Sequence, residues 1–326
     1  MSCSDSLDET MTGYTMIDKG RCLDLGRVES LSKKFLLATA CQHIIEFVSL
    51  PLMLQAQPVT SFDEPALEPY RTMKWQTDHQ RQNIFVAEGE KVVRRLLESD
   101  LTVHSLLLPE KWLIEYEPLL ARRPETIRAF TAEKPTLEKL TGFSMYQGVL
   151  AVATVPEPTP LAQLLTPKKT SLMLLAVDGL SNAENLGGII RTCAAFGVDA
   201  LIVGETCCHP YLRRSVRGSM GAIFKLPYIL SQNLSATLQE LHTAGVHTVA
   251  AHPHTNQQYL DRSNLQGPCC IILGSEGEGV SPQILATCRA TVAIPMRNEI
   301  DSLNVGNAAA VFLYEVYRQR QKISLG

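Results

Sequence analysis

Three short segments late in the chain carry polar groups that a packed core would exclude. They are Asn185-Leu-Gly-Gly-Ile-Ile-Arg191, Leu273-Gly-Ser-Glu-Gly-Glu-Gly-Val280 and Ile294-Pro-Met-Arg-Asn-Glu-Ile-Asp-Ser-Leu-Asn304. Each follows an apolar run that reads as a strand. Ligands of open α/β sheets bind beyond the carboxyl ends of strands. Three polar turns at three such ends therefore predict one assembled site.

The side chains narrow the chemistry. Asn185 opens a helix and suits its N-cap, and the glycines after it let backbone come close. Arg191 lies further along the same helix; taken alone it also reads as a surface arginine of an amphipathic helix. Gly274, Gly277 and Gly279 follow a buried strand and let the chain wrap a ligand. Glu276 and Glu278 repel an anion and nothing local neutralises one, so the turn suits a cationic or neutral ligand and not a phosphate. Ser302 is placed to hold a ligand carboxylate or the neighbouring loop, and Asn304 to cap the last helix.

Those turns need a scaffold. The 326 residues suffice for two domains with separate cores. Apolar content is 45% and charged content 19%, as in ordinary globular chains. Net charge is −3, so bulk electrostatics do not make the chain a polyanion binder. Residues 1–70 hold 10 acidic and 5 basic side chains, against 23 and 25 in 71–326. Any RNA contact must use a local basic face, for which Arg213, Arg214 and Arg217 are candidates. The nine cysteines include two vicinal pairs and no C-x-x-C spacing. They read as reduced core thiols of a cytoplasmic protein, and no metal site is expected. No run reaches the ~18–20 apolar residues of a membrane span, and the acidic amino terminus is no signal peptide.

Along the chain, 1–70 reads as a poorly ordered extension with one helix in an apolar patch from Phe35 to Leu54. Residues 71–155 alternate short strands and helices and form a compact α/β unit. Pro156, Pro158 and Pro160 mark a semi-rigid linker over 156–170. From 171 to 326 strands and helices alternate again, which implies a parallel sheet covered on both faces. Its expected strands include Leu172–Val177, Ala200–Val203, Ala222–Pro227, Val246–Ala251, Cys270–Leu273 and Ala290–Ile294.

Taken together, the three segments resemble the motifs of the SpoU (TrmH-like) family of SPOUT methyltransferases. The first is Asn185-x-Gly187-x-x-x-Arg191, the second Leu273-Gly-Ser-Glu-Gly-Glu-Gly279, the third Ile294-Pro-Met with Ser302-Leu-Asn304. Arg217-Gly-Ser219-Met-Gly221 is similar to the family's R-x-S-x-G stretch. Phe85-Val-Ala-Glu88-Gly89 and Gln147-Gly148 resemble the family's substrate-binding domain, itself similar to a small RNA-binding ribosomal protein. Two departures stand out. Ala183-Glu184 replaces a common Pro-Gly, and Gly306-Asn307 follows Ser-Leu-Asn in place of a serine and a small apolar residue.

The resemblance implies a parallel-sheet catalytic domain with a carboxyl-terminal trefoil knot, preceded by an α/β/α RNA-binding domain. It implies transfer of a methyl group from S-adenosylmethionine to a ribose 2′-hydroxyl of ribosomal or transfer RNA by a homodimer. Leu273, Gly274, Gly279, Ile294, Met296 and Leu303 would hold the cofactor, partly through backbone. Arg191 would meet the attacking hydroxyl, with Glu276 orienting Arg191 or the target nucleotide. Asn185, Ser302 and Asn304 would complete the site. Arg81, Arg213, Arg214, Arg217 and Ser219 would face RNA. A guanidinium rarely gives up its proton, so a phosphate grip and alkoxide stabilisation suit Arg191 better than general-base chemistry. A conventional Rossmann enzyme is disfavoured, because its glycine motif follows the first strand of its sheet. The competing reading from another class is a non-catalytic RNA-binding protein that retains the fold.

Overall fold

The computed structural model describes residues 17–18, 21–22, 54–73, 76–142, 144, 147–165, 170–253, 258–298 and 301–324. Two compact units divide the chain, Met1–Leu52 and Met53–Gly326. In the first, β1 (Ile17–Asp18) and β2 (Arg21–Cys22) pair as an antiparallel ladder. The expected helix in the apolar patch before Leu54 lies outside the described residues.

The larger unit is built on two sheets. The first contains β3 (Leu54–Pro58), β4 (Ile84–Glu88), β5 (Val103–Leu108), β6 (Ile127–Thr131) and β7 (Leu150–Thr154), in the order β3-β6-β5-β7-β4. β3, β6 and β5 are parallel, and β7 runs antiparallel between β5 and β4. Helices α1 (Glu68–Arg71), α2 (Gln76–Arg81), α3 (Glu90–Leu97), α4 (Glu110–Leu120) and α5 (Lys134–Thr141) accompany it. This sheet begins before residue 71: β3 pairs along β6, and Leu67 and Tyr70 are fully buried. The boundary expected at 70 therefore comes too late, because charged Asp63, Glu64 and Glu68 around three prolines disguised a packed segment.

The second sheet is wholly parallel, in the order β10-β9-β8-β12-β11-β13. Its strands are β8 (Met173–Val177), β9 (Ala200–Val203), β10 (Tyr228–Leu230), β11 (His247–Ala251), β12 (Cys269–Leu273) and β13 (Ala290–Val292). β8 and β12 are buried along their whole length, as strands covered on both faces must be. The connecting helices are α6 (Leu161–Leu165), α7 (Ala183–Phe196), α8 (Arg213–Gly218), α9 (Leu234–Thr243), α10 (Pro282–Thr287) and α11 (Val305–Ser324). From β8 the chain winds outward to β10, then returns to lay β12 on the other side of β8. The order reverses between β8 and β12, the place where open sheets bind ligands.

One expected strand is displaced. Residues Ala222–Phe224 form a 3-10 turn, and the strand starts at Tyr228. Met220 and Gly221 both adopt left-handed φ, which breaks extension, and Pro227 has no N–H to give to a ladder. The proline stretch is hooked to β10: Thr159 N–H donates to Tyr228 O (2.8 Å), and the Tyr228 hydroxyl donates to Pro156 O (2.5 Å).

Candidate active site

The three motif loops converge beside the β8/β12 reversal. Asn182 caps α7, accepting from the N–H groups of Glu184 (2.9 Å) and Asn185 (3.2 Å). The expected cap, Asn185, thus lies inside the first turn, and its side chain serves the site. Asn185 Nδ2 donates to Glu276 Oε1, while Asn185 Oδ1 accepts from Asn304 Nδ2 at 3.2 Å. Asn304 Oδ1 in turn accepts from the Gly306 N–H at 2.9 Å, capping α11 as expected. One directional chain of hydrogen bonds therefore runs from the start of α11 through both amides to a carboxylate, linking all three motifs.

The second motif closes on itself. Ser275 N–H donates to Gly279 O (3.0 Å) and Gly279 N–H to Ser275 O (3.1 Å), forming a tight loop with Glu276 and Glu278 at its exposed tip. Gly274 can be nothing larger: a Cβ there would sit 1.8 Å from the backbone carbon of Gly279. Buried Asp178 secures the loop's exit, accepting from Ser281 N–H at 2.8 Å. Sequence reading passed over Asp178, yet a carboxylate directly after the apolar run Leu172–Val177 was a visible signal.

A cavity of about 410 Å³ lies under these loops. Leu273, Gly274, Gly279, Ile294, Met296 and Leu303, the whole expected cofactor set, line it with Glu276, Ser302 and Asn304. Ala251, His252 and Pro253, beyond the end of β11, form a wall that sequence reading missed. Their signal was the same rule, polar residues just past a buried strand. The charged lining residues are Glu276, Glu278 and Asp301, with no Lys or Arg among them. A cationic ligand is therefore favoured and a phosphate disfavoured.

Arg191 is placed differently. It is exposed on α7, six residues past Asn185, hence about 240° around the helix at ~100° per residue. Among the described residues no hydrogen bond or ion pair joins it to Glu276, which accepts from Asn185 instead. Within one chain Glu276 thus holds Asn185 and not Arg191, the first of its two expected partners beside the target nucleotide.

The expected RNA-facing residues divide. Arg213 and Arg217 both donate to Glu88 on β4, Arg217 at 2.8 Å, and the Glu88 side chain is only 7% exposed. This clamp ties α8 to the first sheet. Ser219 is fully buried; it donates to Val216 O (2.8 Å) and accepts from Gly221 N–H (3.2 Å), so it shapes a turn and has no surface to offer RNA. Arg214 is exposed without a partner among the described residues, and Arg81 is exposed with a loose ion pair to Asp78 at 3.9 Å.

Thiols are not the reactive groups here. Burial pushes Cys208 up to about 11, with smaller contributions from Cys207 and Glu276, and Cys193 is raised by burial alone. Among the described residues no group of three His, Cys, Asp or Glu side chains is placed to hold a metal ion, and no helix is long and apolar enough to cross a membrane.

A parallel open sheet with an acidic ligand cavity beyond the ends of β12, β11 and β13 defines an α/β ligand-binding protein whose site is built from late loops. Comparison with known proteins narrows this class. Residues 172–314 match the model of the SpoU rRNA Methylase family. The chain is 32% identical over 282 residues to an uncharacterized tRNA/rRNA methyltransferase of Mycobacterium bovis, covering 84% of this chain and 96% of that one. It is 32% identical over 206 residues to the 23S rRNA (guanosine-2′-O-)-methyltransferase RlmB of Ralstonia nicotianae, covering 63% and 82%. The solved SpoU methyltransferase AviRb from Streptomyces viridochromogenes, in complex with AdoMet, superposes with a TM-score of 0.68 at 25% identity, covering 79% and 98%. The chain belongs to the SpoU methyltransferase family.

Proposed function

We propose that this protein transfers a methyl group from S-adenosylmethionine to a ribose 2′-hydroxyl of ribosomal or transfer RNA. The observation that carries this is the single hydrogen-bonded chain Asn304–Asn185–Glu276 standing over a cavity lined by every expected cofactor residue. A binding module without catalysis would have no need to keep all three motifs in one network.

The cavity fits the cofactor on its own chemistry. When bound, S-adenosylmethionine supplies a methyl group activated by a sulfonium cation. The carboxylates of Glu276, Glu278 and Asp301 suit that charge, and the apolar side chains of Leu273, Ile294, Met296 and Leu303 suit an adenine. Exposed main chain beside them supplies directional hydrogen bonds. Glu276 fixes the Asn185 amide, and Asn304 fixes its other end, so the rim of the cavity is preorganised.

Arg191 then acts across a homodimer. The face of α11 beside α7 exposes Val311, Tyr314 and Tyr317. Phe196, on α7, packs on Tyr314 and Tyr317 with ring centroids 6.3 and 6.1 Å apart. A second copy covering that apolar stripe would bring Arg191 of one protomer to the site of the other. There it grips phosphate and stabilises charge developing on the sugar oxygen. Residues 71–155, with the preceding 54–70, bind substrate; 156–170 link; 171–326 catalyse. Arg81, Arg214 and the half-exposed Arg217 are the RNA-facing cations. The carboxyl-terminal knot accords with α11 being pinned at its far end: Gln319 accepts from Leu265 N–H, and Arg320 donates to Ser171 O and Gly267 O. Reduced thiols and an RNA substrate suit a cytoplasmic location.

Incorporation of labelled methyl into RNA, followed by mapping of 2′-O-methyl marks, tests the proposal. Label in ribose supports it; label in bases, or none, refutes it.

A further inference from the structure

A second cavity, of about 300 Å³, opens between edge strand β4 and the loop that follows β9. We propose that it receives a nucleobase of the RNA strand that flanks the methylated nucleotide; this rests on the RNA methyltransferase reading above. His79, Gln80, Asn83, Phe85, His209 and Tyr211 are the lining residues that matter.

Location comes first. The loop carrying His209 borders the catalytic network. The Cys208 N–H donates to Leu180 O at 2.8 Å, on the loop that leads into α7, and Leu180 N–H donates to Cys207 Sγ at 3.3 Å. Glu276 lies close enough to Cys208 to help raise its thiol. A strand held at Asn185 and Glu276 therefore needs only to cross this loop to reach the cavity.

The chemistry suits a base. Phe85 and Tyr211 meet edge to face with centroids 4.9 Å apart, and His209 lies 6.2 Å from Tyr211 and from Tyr228. Phe85, Tyr211 and Tyr228 are buried and support the half-buried His209 ring, whose face is the one left to stack on a base. His209 Nδ1 accepts from Tyr211 N–H at 3.2 Å, which leaves the proton of the neutral ring on Nε2 as a donor. Burial lowers both His209 and His79, which favours the neutral rings. Asn83 gives Nδ2 to Val155 O at 3.4 Å, leaving Oδ1 as an acceptor. Donor, acceptor and aromatic face are thus present together. Arg213 is the one charged side chain lining the cavity, and Glu88 already binds it. Among the described residues the cavity offers no unmatched cation, so it suits a neutral planar group and not a phosphate.

The test uses an oligoribonucleotide pool carrying 4-thiouridine, irradiated with the full-length protein. Crosslinked peptides should contain residues 79–85 or 209–213. Filling the cavity with Val155→Trp should remove those crosslinks. His209→Ala, the milder variant, should raise the KM for RNA roughly tenfold with kcat and S-adenosylhomocysteine affinity unchanged. Crosslinks confined elsewhere, or an unchanged KM in His209→Ala, overturn the assignment while methyl transfer by the native protein keeps the parent reading intact. If the native protein methylates no RNA, the parent reading fails and takes this one with it.

Discussion

Asn185 holds the site together because it is not needed as a cap. Asn182 takes that work, and both ends of the Asn185 amide are then available, one for Glu276 and one for Asn304. Asn185→Ala should cut methyl transfer by about 10²-fold, the usual effect of losing alignment in a preorganised site. Because the two amides act as one unit, Asn185→Ala with Asn304→Ala should be little worse than either alone, and rate measurements on the double-mutant cycle check this. Arg191 stands apart from that network. Arg191→Ala should abolish turnover yet leave cofactor affinity intact by calorimetry; equal loss of affinity would refute the division of roles. Residue types were legible in the sequence, since carboxylate, amide and guanidinium after buried strands are costly without a purpose. Pairings were not. Nothing local distinguishes Asn182 from Asn185 as the cap, or reveals that Arg213 and Arg217 would meet a carboxylate some 125 residues away.

Elements deliver those side chains through close packing. α7 and α8 cross at Gly187, where an added Cβ would lie 2.6 Å from Ser215 O and 2.9 Å from the Gly218 Cα. Both partners are backbone and cannot yield easily. Gly187→Ala should therefore destabilise by ~1–3 kcal/mol, read as a fall in Tm of about 2–4 °C for each kcal/mol. α8 is held on its other side by Glu88. Glu88→Ala removes the shared partner of Arg213 and Arg217 and should cost ~3 kcal/mol, the low end for a buried pair, because Arg217 is 58% exposed. Denaturant titration measures it. Alternation of strand and helix was legible wherever apolar runs were long and bounded. It failed at 222–227, where an apolar run carries a left-handed turn and a proline, and at 54–70, where charge and proline hid a strand and a buried tyrosine.

At the scale of the whole molecule, the proposed homodimer makes its own predictions. Val311, Tyr314 and Tyr317 form a partly exposed stripe on α11 that suits contact with a second copy. Tyr314→Glu should shift the protein toward monomer in light scattering and remove methyl transfer with it. Mixed dimers test the sharing of sites directly. Asn185→Ala, strongly impaired alone, and Arg191→Ala, inactive alone, should regain activity when co-expressed, to about a quarter of native, since half the dimers hold one intact site under two-fold symmetry. No such rescue occurs if Arg191 serves its own chain. The passage from the first sheet to the second was marked in the sequence by the proline run, but no local signal tells which surface a second copy would cover.

Methyl transfer by this protein depends most on the three loops forming one cofactor cavity. Calorimetry with S-adenosylhomocysteine, on the native protein and on Met296→Trp with its folding checked by Tm, measures this. The native protein should bind saturably, and the filled variant should not bind. Absence of binding to the native protein, or equal binding to both, would contradict it.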